Sequence, residues 1–511
     1  MRNHEDSTEG ERMRRFGLGP VARLISGGQG KGEPSGLAGY RAGGTIAFSF
    51  VIDGNAKLAF GGYHLAHSLL AHCAEDPDLI HIQVTPEVSP RVRSVFAGLG
   101  CRVHEITRLG DGRYCNKIAQ LENLQNIYSD QVVLLDTDTI AVADLRPFVA
   151  GRALQAKVVD WPNPSLAALE EIARRAGMRT LPGKIRIESG GGKTYVGNCN
   201  GGYYAIPRAL IPLVSAEWRR WANWLLENDQ PLRREGKQTH IDQVAMWLAI
   251  HIAGIPYVAA PSNVNYYVHF TGAHRYYDHA RPIALLHYHG SSLNVLGQIE
   301  PSAHLTPLES EAVKRANAQI ASHFDNRVFW DLRYAHFPER GSGVGSRGQN
   351  VAYKRDLLMR EGITTAGSVL DVGCGDLEVL KALDLRDYLG LDQSEAALEV
   401  ARRARPDLEF RIFDPGADAH TVPAKDWVLC LEVLIHQKTQ DSYRKLVDFV
   451  ASKARKTLVV SGYAADVRNL GNNHMLFFHE PLELSLRNTC RFRSIRKIGE
   501  HTDVTVFRCD V

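Results

Sequence analysis

Twice along the chain, short apolar runs rich in β-branched residues alternate with helically spaced segments. A chain built this way folds its strands into open α/β sheets with helices between them. The first series runs TIAFSFVID (45–53), a helical stretch near 63–73, LIHIQVT (79–85), CRVHEI (101–106), the helically spaced NKIAQLENLQNIY (116–128) and QVVLLDTDT (131–139). The second runs SVLDVGCGDLEVLKAL (368–383), DYLGLDQS (387–394), LEFRIFDPG (408–416), DWVLCLEV (426–433) and TLVVSGY (457–463), and it closes on FRSIRKIGE and TDVTVFRCDV, near enough in sequence to pair antiparallel. At 511 residues the chain has room for roughly two to four domains. The expected fold class is therefore α/β with two independent sheets.

Residues 27–44 hold eight glycines in eighteen positions, which offers little to bury, so residues 1–42 read as a flexible tail. The first sheet is expected over 43–305, a polar helical connector over 306–324 that either has few crossing contacts or packs its apolar Val313, Ala316 and Ile320 on one domain, and the second sheet over 325–511. HFPERGSGVGSRGQN (336–350) reads either as a linker or as a lid over the second sheet. Lys+Arg total 60 against 57 Asp+Glu, and no basic run concentrates the charge, so nucleic acid is not an expected partner. Eight cysteines without a CxxC pair fit a reducing compartment, no run is long and apolar enough to be a transmembrane segment, and MRNHEDSTEGERMRR is too charged to begin a signal peptide. The expectation is a cytoplasmic protein; its oligomeric state is not legible.

Asp136 and Asp138 stand where the apolar run VVLL opens into a loop, and two carboxylates one residue apart can both reach a hard divalent cation. The competing reading is an Asp-capped turn. LLHYHG (285–290) is an apolar strand ending in His287 and His289, either of which can complete a site of mixed oxygen and nitrogen ligands. Asn200, Gly201 and Gly202 let backbone approach a ligand closely, or simply make a tight turn. In THIDQVAMWLAI (239–250), Asp242 and Gln243 open a helix; they can hydrogen-bond sugar hydroxyls, or Thr239 can cap the helix while Asp242 favours its dipole.

On LLDTDT, GNCNGGYYAIPR (197–208) and LLHYHG, the region from about 45 to 300 resembles the GT-A glycosyltransferases, more narrowly the family-8 type. The resemblance implies a nucleotide-sugar donor, Mn²⁺ or Mg²⁺ held by Asp136, Asp138 and His287, and transfer with retention; on the residue reading above, Asn200, Gly201, Gly202 and Gln243 are the expected sugar contacts and Asp242, able to stabilise a developing positive charge, the expected catalytic residue.

In the second series, VLDVGCGDLEVL (369–380) reads as a strand, a glycine turn and a helix start. Glu378 occupies the place of the third glycine of the dinucleotide fingerprint, which argues against a nicotinamide cofactor, and Asp371 points instead to an amine-bearing or cationic ligand. Asp392 ends the next strand, where a carboxylate can take both hydroxyls of a ribose. DVGCGD resembles the first motif of the class I S-adenosylmethionine-dependent methyltransferases, over roughly 325–511. That resemblance implies a Rossmann-like fold, Asp371, Gly373 and Gly375 around the methionine part, Asp392 on the ribose, Asp414 near the adenine and Glu432 after the fourth strand, with Arg347 as a contact from the lid. His436 either takes the acceptor's proton or only shapes the pocket; Asn472, Asn473 and His474 can also face the acceptor.

The expected protein is a bifunctional enzyme: metal-dependent sugar transfer followed by methylation of a glycan hydroxyl, in polysaccharide or glycoconjugate biosynthesis, on a glycan or glycolipid acceptor. The alternative keeps the methyltransferase and makes the GT-A-like domain a non-catalytic sugar-binding platform.

Overall fold

The computed structural model describes residues 44–149, 151–188, 192–268, 270, 274–289, 293–294, 296–300, 305–414, 419–464, 477–501 and 504–511. The glycine-rich tail and Asn472, Asn473 and His474 lie outside the described residues.

In chain order the first half forms β1 (Ile46–Ile52), α1 (Ala56–His72), β2 (Ile80–Val84), α2 (Pro90–Gly98), β3 (Arg102–Glu105), α3 (Asn116–Leu124), β4 (Gln131–Leu135), β5 (Thr139–Ala141), β6 (Leu154–Val158), α4 (Leu166–Arg175), β7 (Lys184–Arg186), β8 (Lys193–Tyr195), β9 (Cys199–Pro207), α5 (Ile211–Glu227), α6 (Gln230–Arg234), α7 (Ile241–Ile252), β10 (Tyr257–Ala259), β11 (Tyr266–Tyr267) and β12 (Leu285–His287). A seven-stranded sheet has the order β10-β6-β9-β4-β1-β2-β3. Its β1 to β4 run parallel, while β9 lies antiparallel between β4 and β6. Parallel strands are covered on both faces, and β1 and β4 are accordingly apolar but for Ser49 and Gln131, with Phe48, Phe50, Val133 and Leu134 fully buried. Each such side chain contributes about 1.5–3 kcal/mol through burial. A small second sheet, β11-β12-β5, is set against this one.

The second half continues with α8 (Pro307–Ser322), α9 (Asn326–His336), α10 (Gln349–Glu361), β13 (Val369–Val372), β14 (Tyr388–Asp392), α11 (Glu395–Ala404), β15 (Glu409–Ile412), β16 (Lys425–Cys430), α12 (Gln440–Lys453), β17 (Ala454–Gly462), α13 (Leu482–Asn488), β18 (Ser494–His501) and β19 (Val504–Asp510). The sheet order is β15-β14-β13-β16-β17-β19-β18, with β13 to β17 parallel and β19 antiparallel to both of its neighbours. This is a Rossmann-like doubly wound sheet. Its strand order reverses between β13 and β16, which opens a crevice at their carboxyl ends.

Three sequence expectations need correction. The helix expected after the glycine turn is absent, because residues 373–387 form turns in which Gly373, Gly375 and Leu377 all take positive φ. Thr239 does not cap α7: the helix starts at Ile241 after a short 3₁₀ turn, Gln238–His240, and its start has no side-chain cap. The connector is not a lightly attached spacer. Ala312, Val313, Ala316 and Ile320 of α8 pack with Ile140, Val142 and Leu286 of the first half. α9 then touches both halves: Asp331 pairs with Arg91 at 2.7 Å and accepts from Ser394 Oγ and Ala396 N at the start of α11.

Candidate active sites

The first site follows from strand registry. β4 ends at Leu135, the chain turns through residues 136–138, and Thr139 begins β5 directly opposite His287 on β12. The turn is closed by Thr139 Oγ1, which donates to Asp136 O at 2.7 Å, and Asp138 O accepts from Tyr288 N at 3.0 Å. Registry and turn together bring one ligand atom each from Asp136, Asp138 and His287 within 4.8 Å of one another. Gly61 of α1 lets the helix press on this loop, since a Cβ there would stand 2.5 Å from Thr137 O.

His287 is buried, and its Nδ1 donates to Asn265 Oδ1 at 2.7 Å, leaving Nε2 directed at Asp138 Oδ1, 3.2 Å away. Burial pulls the imidazole down, but the Asp138 and Asp136 carboxylates outweigh it and hold it above its ordinary value. Asn265 also donates to Asn200 Oδ1 at 3.0 Å, which in turn accepts from Gly202 N at 2.9 Å. Asn200 and Gly202 therefore stand behind the histidine rather than in the open cleft. A Cβ on Gly202 would meet His287 Nδ1 at 2.8 Å.

Lys117 of α3 is a residue the sequence reading missed. Its Nζ lies 2.5 Å from Asp136 Oδ1 and 3.7 Å from Asp242 Oδ2, and it donates to Gly201 O at 2.9 Å. Burial lowers the ammonium, and Asp136, Asp242 and Asp138 more than restore it. Asp242 is itself buried and pushed up to about 6, an effect of burial that Lys117 only partly offsets. Gln243 lines the same cleft with Tyr114 and the basic Lys57, Arg108, Arg113 and Lys117, of which Arg108 pairs with Glu87 at 3.0 Å, and these cations suit a phosphorylated ligand. Its only sequence signal is the helical spacing of residues 116–128, which places Lys117 on a helix without saying where it points. The donor set of two carboxylates and one imidazole, with the outer histidine nitrogen already fixed, fits a Mn²⁺- or Mg²⁺-type ion.

The second cavity opens at the carboxyl ends of β13, β14 and β16. It is lined by Asp371, Gly373, Gly375, Asp392, Glu432 and His436, among others. Asp392 accepts from Gly375 N through one oxygen and from Ser394 N through the other, both at 2.9 Å, and burial pushes it up to about 6 against these amides. Asp371 accepts from Tyr388 Oη at 2.9 Å and is pushed up to about 7, chiefly by burial. A Cβ at Gly373 would stand 2.3 Å from Val433, so the turn approaches the segment after β16 as only glycine allows, at φ +75°. Glu432 sits at φ +61°, a strained conformation for a non-glycine residue, and pairs with Lys354 at 2.9 Å.

Two expected contacts fall elsewhere. Phe413 lines this cavity and Asp414 does not; Asp414 is exposed just beyond the end of β15. Arg347 is held by Asp376 outside the cavity lining. The segment around it is nonetheless folded over the glycine turn: Ser342 Oγ donates to Asp376 Oδ1 at 2.9 Å, and a Cβ on Gly345 would stand 2.0 Å from Glu432. That packing is a strap's rather than a linker's. His436 is half-buried, edge-on to Trp330 at 5.1 Å, and desolvation, with Arg333 nearby, pulls its imidazole down to about 3.

Residues 49–254 match the family described as Rhodobacterales glycosyltransferase domain. No curated protein sequence matches the chain. Among solved structures, the magnesium protoporphyrin IX methyltransferase of Synechocystis PCC 6803 with bound SAM is similar at 19% identity and a TM-score of 0.29, over 37% of this chain and 98% of that one. An O-methyltransferase family protein from Burkholderia thailandensis is similar at 14% identity and a TM-score of 0.29, over 38% of this chain and 61% of that one. The N-terminal domain of EvdMO1 with SAH bound is similar at 19% identity and a TM-score of 0.27, over 32% of this chain and 82% of that one. The chain thus joins a first sheet, most of which matches a Rhodobacterales glycosyltransferase domain, to a separate Rossmann-like sheet with a crevice at its strand ends.

Proposed function

We propose that the chain is bifunctional, transferring a sugar from a nucleotide-sugar donor at the first site and a methyl group from S-adenosylmethionine at the second. The clustering of Asp136, Asp138 and His287 within 4.8 Å carries the first half of this reading. A divalent ion there would neutralise the diphosphate leaving group. Lys117 and the other cations of the cleft hold the phosphates, and buried Asp242 with Gln243 orients the sugar; retention is the stereochemical outcome this reading expects.

For the second site, Asp392 accepts the ribose hydroxyls and Asp371 with the glycine turn receives the methionine part. Methylation forms a bond from the acceptor oxygen to the methyl carbon, breaks the carbon–sulfonium bond and releases the hydroxyl proton, leaving S-adenosylhomocysteine. His436 faces this cavity as a neutral ring. The pairing suggests one glycan or glycolipid acceptor that meets both sites, in cytoplasmic polysaccharide or glycoconjugate assembly; among the described residues no helix is long and apolar enough to cross a membrane.

Two measurements on the full chain test this. Mn²⁺-dependent hydrolysis of nucleotide sugars should be detectable, and calorimetry should show S-adenosylhomocysteine binding with no competition from NAD. Absence of either activity removes that half of the proposal.

A further inference from the structure

Arg333 is a buried charge that neither site, as described so far, uses. It lies on α9 and is 4% exposed. Its Nε is enclosed without a hydrogen-bond partner, and no ion pair to its guanidinium occurs among the described residues. The guanidinium packs over Trp330 at 4.7 Å and Phe329 at 5.9 Å. Burial pulls it down to about 10, Tyr334 raises it, and Arg347 and Arg340 lower it further, so it remains a cation at neutral pH beside two other cations. Arg347 is matched by Asp376, and Arg340 lies 3.9 Å from Glu339; Arg333 has no such match.

Withdrawing a cation from water without a counter-charge is costly, and contact with aromatic faces offsets only part of the cost. A fold that keeps such a group gains from it when a ligand brings the missing charge. The position says which ligand. Trp330, under the guanidinium, lines the second cavity together with His436, and Arg333 stands directly behind it, next to the lining rather than in it. On another side stands Gly343 of the strap, at φ +87°, where a Cβ would come within 3.2 Å of Nη2.

We propose that Arg333 anchors an oxyanion subsite beside the second cavity, and that the methyl acceptor is therefore acidic, carrying a carboxylate or phosphate near the oxygen that is methylated. The proposal rests on the methyl-transfer reading above. The planar guanidinium fork suits such a group through two parallel hydrogen bonds. The same chemistry has a second source, the carboxylate of the methyl donor's amino-acid part, which the test separates from an acceptor's.

The experiment uses the full chain as wild type, Arg333→Lys and Arg333→Met. Calorimetric probes are inorganic phosphate, S-adenosylhomocysteine and 5′-methylthioadenosine, which lacks the amino-acid part. Phosphate should bind the S-adenosylhomocysteine-loaded wild type at least tenfold more tightly than the Met variant, with the Lys variant between, and S-adenosylhomocysteine affinity should be the same in all three. If S-adenosylhomocysteine binding falls tenfold in the Met variant while 5′-methylthioadenosine binding is unchanged, the oxyanion subsite stands but its occupant is the donor's carboxylate, and the acidic acceptor is overturned. Equal affinities of wild type and Met variant for all three probes overturn the subsite. The unliganded Met variant should melt no lower than wild type, because it loses an uncompensated charge; a variant that melts lower or fails to fold makes Arg333 a structural residue and also overturns the proposal. Failure of the methyl-transfer reading shows separately, as wild type that binds neither nucleoside.

Discussion

Asn265 Oδ1 accepts the proton of His287 Nδ1 at 2.7 Å, and this single bond decides which nitrogen of the histidine faces Asp138. Asn265 stands at φ +63°, so its backbone is already bent into the left-handed region to present the amide. Lys157, itself buried, holds the same residue by donating to Asn265 O at 2.9 Å.

Replacing Asn265 by glycine keeps the backbone accessible while removing the amide that orients the histidine. The Asn265→Gly protein should bind Mn²⁺ about 10- to 100-fold more weakly, the usual scale for losing a group that orients a metal ligand. Titration followed by electron paramagnetic resonance reads this without reference to turnover. Unchanged Mn²⁺ affinity would mean that His287 is not a ligand.

Asp392→Ala should weaken S-adenosylhomocysteine binding by about 1–3 kcal/mol, the scale of a charge-assisted hydrogen bond. Nucleotide-sugar hydrolysis should be little changed, because Asp392 ends a strand of one sheet and Asp136 follows a strand of the other. Calorimetry giving equal affinities in wild type and variant would contradict the ribose role.

A histidine cluster lies where α1 meets the end of α8. His64 Nδ1 is 3.0 Å from His323 Nε2, and His67 stacks on His323 at 4.1 Å, with Tyr63, Asp325 and Lys438 around them. Burial pulls His64 to about 3 and His67 to about 4, and His323 is lowered as well. The folded state thus holds these rings neutral while the unfolded chain protonates near 6.5, so stability is present above about pH 6.5 and is lost as pH falls towards 4. For His67 alone the full loss is at most about 3.5 kcal/mol. The raised carboxylates Asp242, Asp371 and Asp392 act in the opposite sense, so the comparison must be differential. His67→Gln should lose less stability than wild type between pH 7 and pH 5 in thermal melts. Parallel losses would contradict the assignment.

Much of the fold was legible because apolar periodicity and strand ends are local signals. VVLL followed by DTDT placed both carboxylates, and LLH placed the histidine, without any knowledge of registry. What local patterns could not show were partners chosen in three dimensions. Lys117 reaches Asp136 across 19 positions and Asn265 reaches Asn200 across 65, and neither spacing has a sequence signature. The helix expected after the glycine turn failed for a different reason: Leu377 takes positive φ where it is buried among residues of α10 and the sheet, a conformation that leucine has no propensity to adopt. The apolar stripe of α8, Val313, Ala316 and Ile320, was legible from its spacing, but not that it is buried on the first half.

The two-site account stands or falls on Asp138→Asn, a nearly isosteric change that removes one negative ligand from the candidate metal centre. Measured side by side on the full chain, Mn²⁺-dependent nucleotide-sugar hydrolysis should fall by at least a hundredfold, roughly the loss of 2.7 kcal/mol of transition-state stabilisation, while S-adenosylhomocysteine affinity stays at the wild-type value. Hydrolysis that persists at the wild-type rate with unchanged Mn²⁺ dependence would contradict the account.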